Sequence, residues 1–145
     1  MGNVPPQMKA EGAANKAPEF NLETALGSGM KSLTQARDGK KTVLFFWATW
    51  CPHCREEIMN LNGRLDTLGQ EGIKVVLVSV GETKEEVAAY LKHNNVRLDS
   101  FVDPDNGLQD PYQLFGVPTI YFIDENGIIR NMAHQFPSDY AALFG

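Results

Sequence analysis

Both cysteines of this 145-residue chain lie at the junction of a predicted strand and a predicted helix, in Cys51-Pro52-His53-Cys54. The preceding run from Val43 to Trp50 is almost entirely apolar and predicts a buried strand. Pro52 suits the first position of a helix, because that position needs no N–H donor and the ring sets a helical φ. Cys51 therefore falls at the helix N-cap, where free N–H groups and the helix dipole favour an anionic sulfur. The sequence predicts a reactive thiolate at Cys51.

The spacing of the two cysteines indicates thiol chemistry rather than a structural role. A disulfide between them closes a very short loop, whereas stabilisation by a disulfide grows with loop length. We expect Cys51 to attack a partner disulfide and Cys54, one turn deeper, to resolve the mixed disulfide. The only cofactor expected is this redox-active Cys51–Cys54 pair.

Metal and haem sites fit the pattern less well. A structural zinc site normally has four ligands, and haem attachment needs a histidine directly after the second cysteine, where this chain has Arg55. We therefore expect no metal. Besides the cysteines, the chain offers only the scattered histidines His53, His93 and His134.

Size and charge restrict the partners. The chain has 43% hydrophobic residues and a net charge of -5, which suits one globular domain and argues against nucleic acid or an anionic membrane as partner. No apolar run approaches the roughly 20 residues of a membrane span. Residues 1–16 are polar and predict a disordered linker, and residues 17–145 the folded domain. We expect a monomer that acts on proteins; membrane association would come only through an anchor attached upstream.

Hydrophobic periodicity predicts an alternating α/β chain. The β-branched run 73–80 predicts a central strand, and 83–94 predicts a helix. A short strand at 101–102 and short helices over 108–115 and 138–144 are also predicted. Strands 119–123 and 128–131 flank an Asn-Gly step and predict a hairpin. The helix that follows the cysteine pair carries one apolar stripe, formed by Cys54, Ile58, Leu61, Leu65 and Leu68.

Glu57 lies on the inward side of that helix. At about 100° per residue it is about 60° from Cys54, whereas Glu56 points to roughly the opposite face. A carboxylate in this place could exchange the proton that thiol chemistry requires. It could equally border the helix and reach solvent, so the residues alone leave both interpretations open.

Four groups of residues are together specific enough to indicate a protein family, although any one of them alone would be a weak signal. They are Ala17-Pro18-Glu19-Phe20, Phe46-Trp47-Ala48-Thr49-Trp50-Cys51-Pro52-His53-Cys54-Arg55-Glu56-Glu57, Val78-Ser79-Val80-Gly81-Glu82, and Gly116-Val117-Pro118-Thr119 followed by Phe122-Ile123-Asp124-Glu125-Asn126-Gly127. In combination they resemble the thioredoxin fold and, within it, the TlpA/ResA-like thiol-disulfide oxidoreductases of bacterial extracytoplasmic spaces. The resemblance implies a central mixed β-sheet flanked by helices, with the family's inserted βα element, to which 83–94 would belong.

The resemblance also implies a substrate-binding surface. The proline that matches Pro118 is cis in this family, which predicts a cis Val117–Pro118 bond beside the cysteines. The backbone of Val117 would pair there with an extended partner peptide. Trp50 would be a partly exposed platform at the site, with Pro52 next to it on the substrate side.

A catalytic acid is implied as well. A glutamate in the position of Glu57 is associated with the active site in such helices. Cytoplasmic thioredoxins instead carry a buried aspartate on the preceding strand, and the corresponding residue here is Phe45. The resemblance therefore favours a catalytic role for Glu57.

His53 bears on the direction of electron flow. In having Pro-His between its cysteines, the chain resembles DsbA-like oxidative enzymes, whose reduced form is strongly stabilised. The surrounding chain resembles the reductive, cytochrome c maturation type. We therefore expect a periplasmic or otherwise extracytoplasmic reductase of protein disulfides, supplied by an upstream thiol reductant. The alternative is a dithiol oxidase.

Two other classes share the fold. A peroxidase usually presents its cysteine in a different context from this dithiol helix start. A non-enzymatic copper- or partner-binding module would favour Cys-X-X-X-Cys or a methionine-rich loop, and the methionines here are dispersed. Both classes are less well supported than disulfide exchange.

Overall fold

A computed structural model describes residues 15–145 of the chain. These residues form an α/β fold. Apolar strands alternate with amphipathic helices along the chain, as the periodicity predicts. The elements are β1 (Asn21–Glu23), β2 (Met30–Ser32), α1 (Leu33–Arg37), β3 (Lys41–Trp47), α2 (Pro52–Asn62), α3 (Leu65–Gln70), β4 (Ile73–Val80), α4 (Lys84–His93), β5 (Ser100–Asp103), β6 (Thr119–Ile123), β7 (Ile129–Ala133) and a final 3-10 helix (Tyr140–Phe144).

Strand β3 lies at the centre of a five-stranded mixed sheet with the order β5-β4-β3-β6-β7. It pairs in parallel with β4 and antiparallel with β6. In the register of these pairs, Phe46 lies opposite Thr119 and Trp47 opposite Ser79. The ends of β3 and β4 and the beginning of β6 consequently meet at one edge of the sheet. The predicted central mixed sheet is confirmed.

Strand β3 is buried on both faces because its side chains alternate between two hydrophobic clusters. Val43, Phe45 and Trp47 belong to one cluster, which also contains the inward residues of α2 and α4. Leu44 and Phe46 belong to the other, together with the buried residues of α1. This packing holds the end of β3, where the cysteine motif begins, in a rigid position.

The segment between β4 and β6 adds helix α4 and the outer strand β5, which pairs in parallel with β4. This is the place in which the resemblance predicts an inserted βα element. The predicted hairpin is also confirmed, with β6 and β7 antiparallel. Its turn contains Gly127, whose φ of +82° lies in the left-handed region that glycine adopts without steric cost.

Three of the predicted helices differ in the structure, and the one predicted over 138–144 is the 3-10 helix Tyr140–Phe144. The helix predicted over 108–115 is wrong, because residues 107–113 form turns. Pro111 offers no N–H and disfavours a helical conformation in Asp110, and Gln113 has a left-handed φ of 52°. The single apolar stripe after the cysteines is divided between α2 and α3, since α2 ends at Asn62 with Gly63 as its C-cap.

The linker predicted over residues 1–16 falls, apart from its last two residues, outside the described part of the chain. Lys16 forms an antiparallel bridge with Ile128, and the N–H of Ala17 donates to the carbonyl of Gly127 at 2.9 Å. Over residues 15–145, no helix has the length and apolar character needed to cross a membrane.

Helix α4 begins with a capping box at Thr83, and a substitution there tests whether this cap stabilises the helix. The Thr83 hydroxyl accepts from the Glu86 N–H at 3.1 Å, and the Glu86 carboxylate accepts from the Thr83 N–H at 2.9 Å. We expect Thr83→Ala to lower the free energy of unfolding by about 1 kcal/mol in urea denaturation. Thr83→Ser keeps the hydroxyl and should retain most of this stability; an equal loss in both variants would contradict the cap.

Candidate active site

The cysteine motif starts helix α2 as the sequence predicts. Cys51 is the N-cap, with extended backbone angles, and Pro52 occupies the first turn. The N–H of Cys54 donates to the Cys51 sulfur at 3.2 Å. A backbone donor and the positive end of the helix thus act together on this sulfur, and both favour its anionic form.

The two thiols have different environments. Cys54 is fully buried, and Cys51 is 5% exposed at the surface end of the pair. Burial, and then the contact with Cys51, raises the pKa of the Cys54 thiol well above its ordinary value. Cys54 is therefore held as a neutral thiol, while Cys51 is the sulfur placed to react first.

The loop before β6 reaches the cysteines from the other side. The Val117–Pro118 peptide bond is cis, the isomer expected from the resemblance. The thiol of Cys51 donates to the Val117 carbonyl, with sulfur and oxygen 3.8 Å apart. Residues 51 and 117, far apart in sequence, therefore meet at the sheet edge that the strand register defines.

The two tryptophans of the motif have opposite environments. Trp50 is 66% exposed beside the cysteines. Trp47 is fully buried, and its indole N–H donates to the Ser100 hydroxyl at 3.0 Å. Trp50 is thus available to a partner, and Trp47 supports the core beneath the site.

His53 and Glu57 lie on different sides of α2. The His53 ring is exposed, with its Nδ1 3.7 Å from the Glu56 carboxylate. Glu57 is half-buried, and its Oε1 accepts from the backbone N–H of Phe136 at 2.8 Å. Glu57 therefore joins α2 to the segment after β7, a contact that the sequence did not predict.

Glu82 is a site residue to which the sequence analysis assigned no role. Its side chain is buried directly beneath the loop that leads into the cysteines. One carboxylate oxygen accepts from the Thr49 N–H and from the Ser79 hydroxyl, both at 2.8 Å, and the other accepts from the Thr49 hydroxyl. The signal that could have identified Glu82 is its position just after the predicted central strand 73–80. A parallel strand ends at the same edge of the sheet as the strand that leads into the cysteines.

The loop before the cysteines is therefore fixed from two directions. Glu82 holds Thr49 from below, and the Arg55 guanidinium donates to the Thr49 carbonyl at 3.0 Å from the first turn of α2. The N–H of Cys51 donates to the Ala48 carbonyl at 3.2 Å. These bonds orient the N-cap cysteine before any substrate binds.

A central mixed sheet flanked by helices, with a Cys-X-X-Cys pair at the start of a helix, defines a thioredoxin-like protein. The chain belongs to the AhpC/TSA family, whose model matches residues 13–132. It is 32% identical over 132 residues to the thiol-disulfide oxidoreductase ResA of Bacillus subtilis, covering 88% of this chain and 73% of ResA. It is 34% identical over 134 residues to the thiol:disulfide interchange protein DsbE of Escherichia coli, covering 89% of this chain and 69% of DsbE.

A solved structure agrees with these relatives. A crystal structure assigned to a thiol:disulfide interchange protein DsbE of Chlorobium tepidum superposes with a TM-score of 0.76 at 28% identity. The match covers 89% of this chain and 90% of the other. The chain is accordingly a thiol-disulfide oxidoreductase of the ResA and DsbE type, with the thioredoxin-like fold that the sequence predicts.

The contacts of Glu82 predict a specific defect in Glu82→Gln. Glutamine has one acceptor oxygen in place of two and carries no charge, so the charge-assisted bonds from Thr49 and Ser79 are replaced by weaker neutral ones. Because a hydrogen bond to a charged group is worth about 1.5 to 3 kcal/mol and a neutral one about 0.5 to 1.5 kcal/mol, we expect urea denaturation to reveal a loss of about 1 to 3 kcal/mol. Disulfide reduction should also slow by about tenfold, since the loop before Cys51 loosens. The matched control is Glu56→Gln on the exposed face, and equal behaviour of the two variants would refute this role.

Proposed function

We propose that the protein reduces disulfides of other proteins in an extracytoplasmic space, in the manner of the cytochrome c maturation type that its motifs resemble. The observation that carries the proposal is the asymmetry of the thiols beside the Val117 carbonyl. Cys51 accepts a backbone N–H at the helix start, whereas Cys54 is buried and neutral. This asymmetry suits an attacking thiol and a resolving thiol.

The reaction balances over two exchange steps. The Cys51 thiolate attacks one sulfur of the substrate disulfide, forming a mixed disulfide and releasing the other substrate sulfur as a thiolate that takes a proton. Cys54 then loses its proton and attacks the Cys51 sulfur, which expels the second substrate thiolate. The substrate gains two electrons and two protons, and the enzyme is left with a Cys51–Cys54 disulfide. A dithiol donor upstream must then reduce that disulfide.

The position of His53 supports the reductive direction. An oxidase of the DsbA kind needs strong additional stabilisation of the reduced form. Here the His53 ring is exposed and lies toward Glu56, so it adds no hydrogen bond to the Cys51 sulfur. In the part of the chain that the structure describes, the hydrogen bond to that sulfur comes from the Cys54 N–H at the helix start.

The substrate side is proposed to be the surface formed by the exposed face of Trp50, by Pro52 and by the loop of Val117 and Pro118. An extended polypeptide would pair with the backbone of Val117 beside the Cys51 sulfur, as a further strand does at a sheet edge. Glu57 is proposed as the acid that exchanges a proton with Cys54, since residues three apart are neighbours on a helix.

Cysteine variants test the proposed chemistry. We expect Cys51→Ser to lower insulin disulfide reduction by at least about 100-fold, because serine is not a nucleophile toward disulfides at neutral pH. Cys54→Ser should accumulate a mixed disulfide with the substrate, visible by mass spectrometry, because the resolving thiol is missing. Turnover of hydrogen peroxide in preference to insulin, or tight Cu(I) binding without exchange, would refute the proposal.

The reduction potential of the Cys51/Cys54 pair tests the direction. We expect a value near that of thioredoxin, about -270 mV, and well below that of DsbA, about -120 mV. Equilibration with glutathione or dithiothreitol buffers, followed by alkylation of the free thiols, measures it. A potential above about -180 mV, the value for protein disulfide isomerase, would change the assignment from a reductase to an oxidase.

A glutamine variant separates the charge of Glu57 from its contact with Phe136. Because the raised pKa keeps Cys54 protonated, the rate of the resolving step should increase with pH in the wild type. Glu57→Gln keeps an acceptor for the Phe136 N–H but cannot take a proton. We expect it to slow the resolving step at pH 7 by about tenfold or more and to alter its pH profile. An unchanged profile, in comparison with Glu56→Gln, would remove Glu57 from proton transfer.

A further inference from the structure

His134, just after β7, contacts the loop that carries the cis proline. Its Nδ1 lies 3.1 Å from the carbonyl oxygen of Pro118. A carbonyl oxygen can only accept a hydrogen bond, so Nδ1 must carry the proton of this contact. The ring also lines a groove of about 540 Å³ together with His53, Phe115, Val117 and Pro118. His134 therefore shares a groove with His53 of the dithiol helix and with the cis-proline loop, although it is 80 residues from Cys54 in the sequence.

Three successive carbonyls of the loop each accept from a different side chain. The Thr119 hydroxyl donates to Gly116 at 2.7 Å, the Cys51 thiol to Val117 at 3.8 Å, and His134 to Pro118. The middle bond differs from the other two because it is lost when Cys51 becomes a thiolate, which has no proton to donate. At that moment the Val117 carbonyl becomes free, while its two neighbours remain held.

The segment that carries His134 is fixed to the dithiol helix. Two residues after His134, the N–H of Phe136 donates to Glu57 on α2 at 2.8 Å. Phe136 itself is packed in the core beside Phe122. A chain of contacts therefore runs from α2 through Glu57 and Phe136 to His134, and from there to Pro118.

We propose that His134 is a positioning residue that holds the Pro118 carbonyl and thereby presents the backbone of Val117 to a substrate polypeptide. The proposal rests on the proposed function, because it concerns how a protein disulfide is bound. Pro118 has no N–H with which to anchor itself in the sheet, so the His134 bond replaces part of the missing support. A small disulfide, which makes no backbone pairing with Val117, has no need of this bond.

The experiment compares three substitutions of His134 with two substrates. Asparagine can place an N–H near the position of Nδ1, glutamine places its amide near that of Nε2, and alanine has no donor. We expect His134→Ala and His134→Gln to raise the KM for insulin about fivefold, which corresponds to about 1 kcal/mol for one hydrogen bond. His134→Asn should restore most of the wild-type KM. The rate with hydroxyethyl disulfide should stay within about twofold in all three variants, because a small disulfide makes no pairing with the Val117 backbone that this contact would position.

A spectroscopic measurement tests the contact itself. The ¹⁵N resonances of the wild-type His134 imidazole should report a proton on Nδ1, and a neutral ring protonated at Nε2 alone would overturn the proposal. An unchanged insulin KM in His134→Ala, a His134→Asn variant as defective as His134→Ala, or a loss of hydroxyethyl disulfide turnover would also overturn it. A wild-type protein that reduces neither disulfide would instead refute the proposed function.

Discussion

The position of β3 between a parallel and an antiparallel neighbour is the constraint on which the site depends. Parallel pairing with β4 brings the ends of both strands to one edge, and antiparallel pairing with β6 brings the beginning of β6 to the same edge. Cys51, Glu82 and Pro118 follow or precede these strand ends within a few residues. A change in the register of β3 would therefore separate the dithiol from Glu82 and from the loop of Val117 and Pro118.

The chemistry of the dithiol then results from unequal surroundings of two identical side chains. The helix start supplies a donor to Cys51, and the core surrounds Cys54 and raises its pKa. The acids of the site are supplied by elements around β3 rather than by β3 itself, where Phe45 is fully buried. Glu82 acts from the end of β4 on the loop, and Glu57 acts from α2 on the segment after β7. Each acid thus connects one cysteine-bearing element to a neighbouring part of the fold.

Sequence reasoning succeeded where a local pattern had one physical interpretation. Pro52 after Cys51 predicted the helix start, the β-branched run predicted β4, and Asn126-Gly127 predicted the hairpin, all of which are confirmed. It failed over 108–115, because the apolar spacing of a helix was present but Pro111 and the left-handed Gln113 prevent one. It also left the partner of Glu57 unknown. Helical phase gives the direction of a side chain but not the element packed against it.

The amino-acid sequence by itself determined the cysteine pair, its helix-start chemistry and the α/β alternation, because these depend on residues that are neighbours along the chain. Only the tertiary structure decided that Glu82 lies beneath Thr49 and that His134 reaches Pro118. Those contacts join residues 33 and 16 positions apart, and they exist because strand pairing and core packing bring the ends of separate elements together. No local pattern encodes such a meeting, since it depends on the register of the whole sheet.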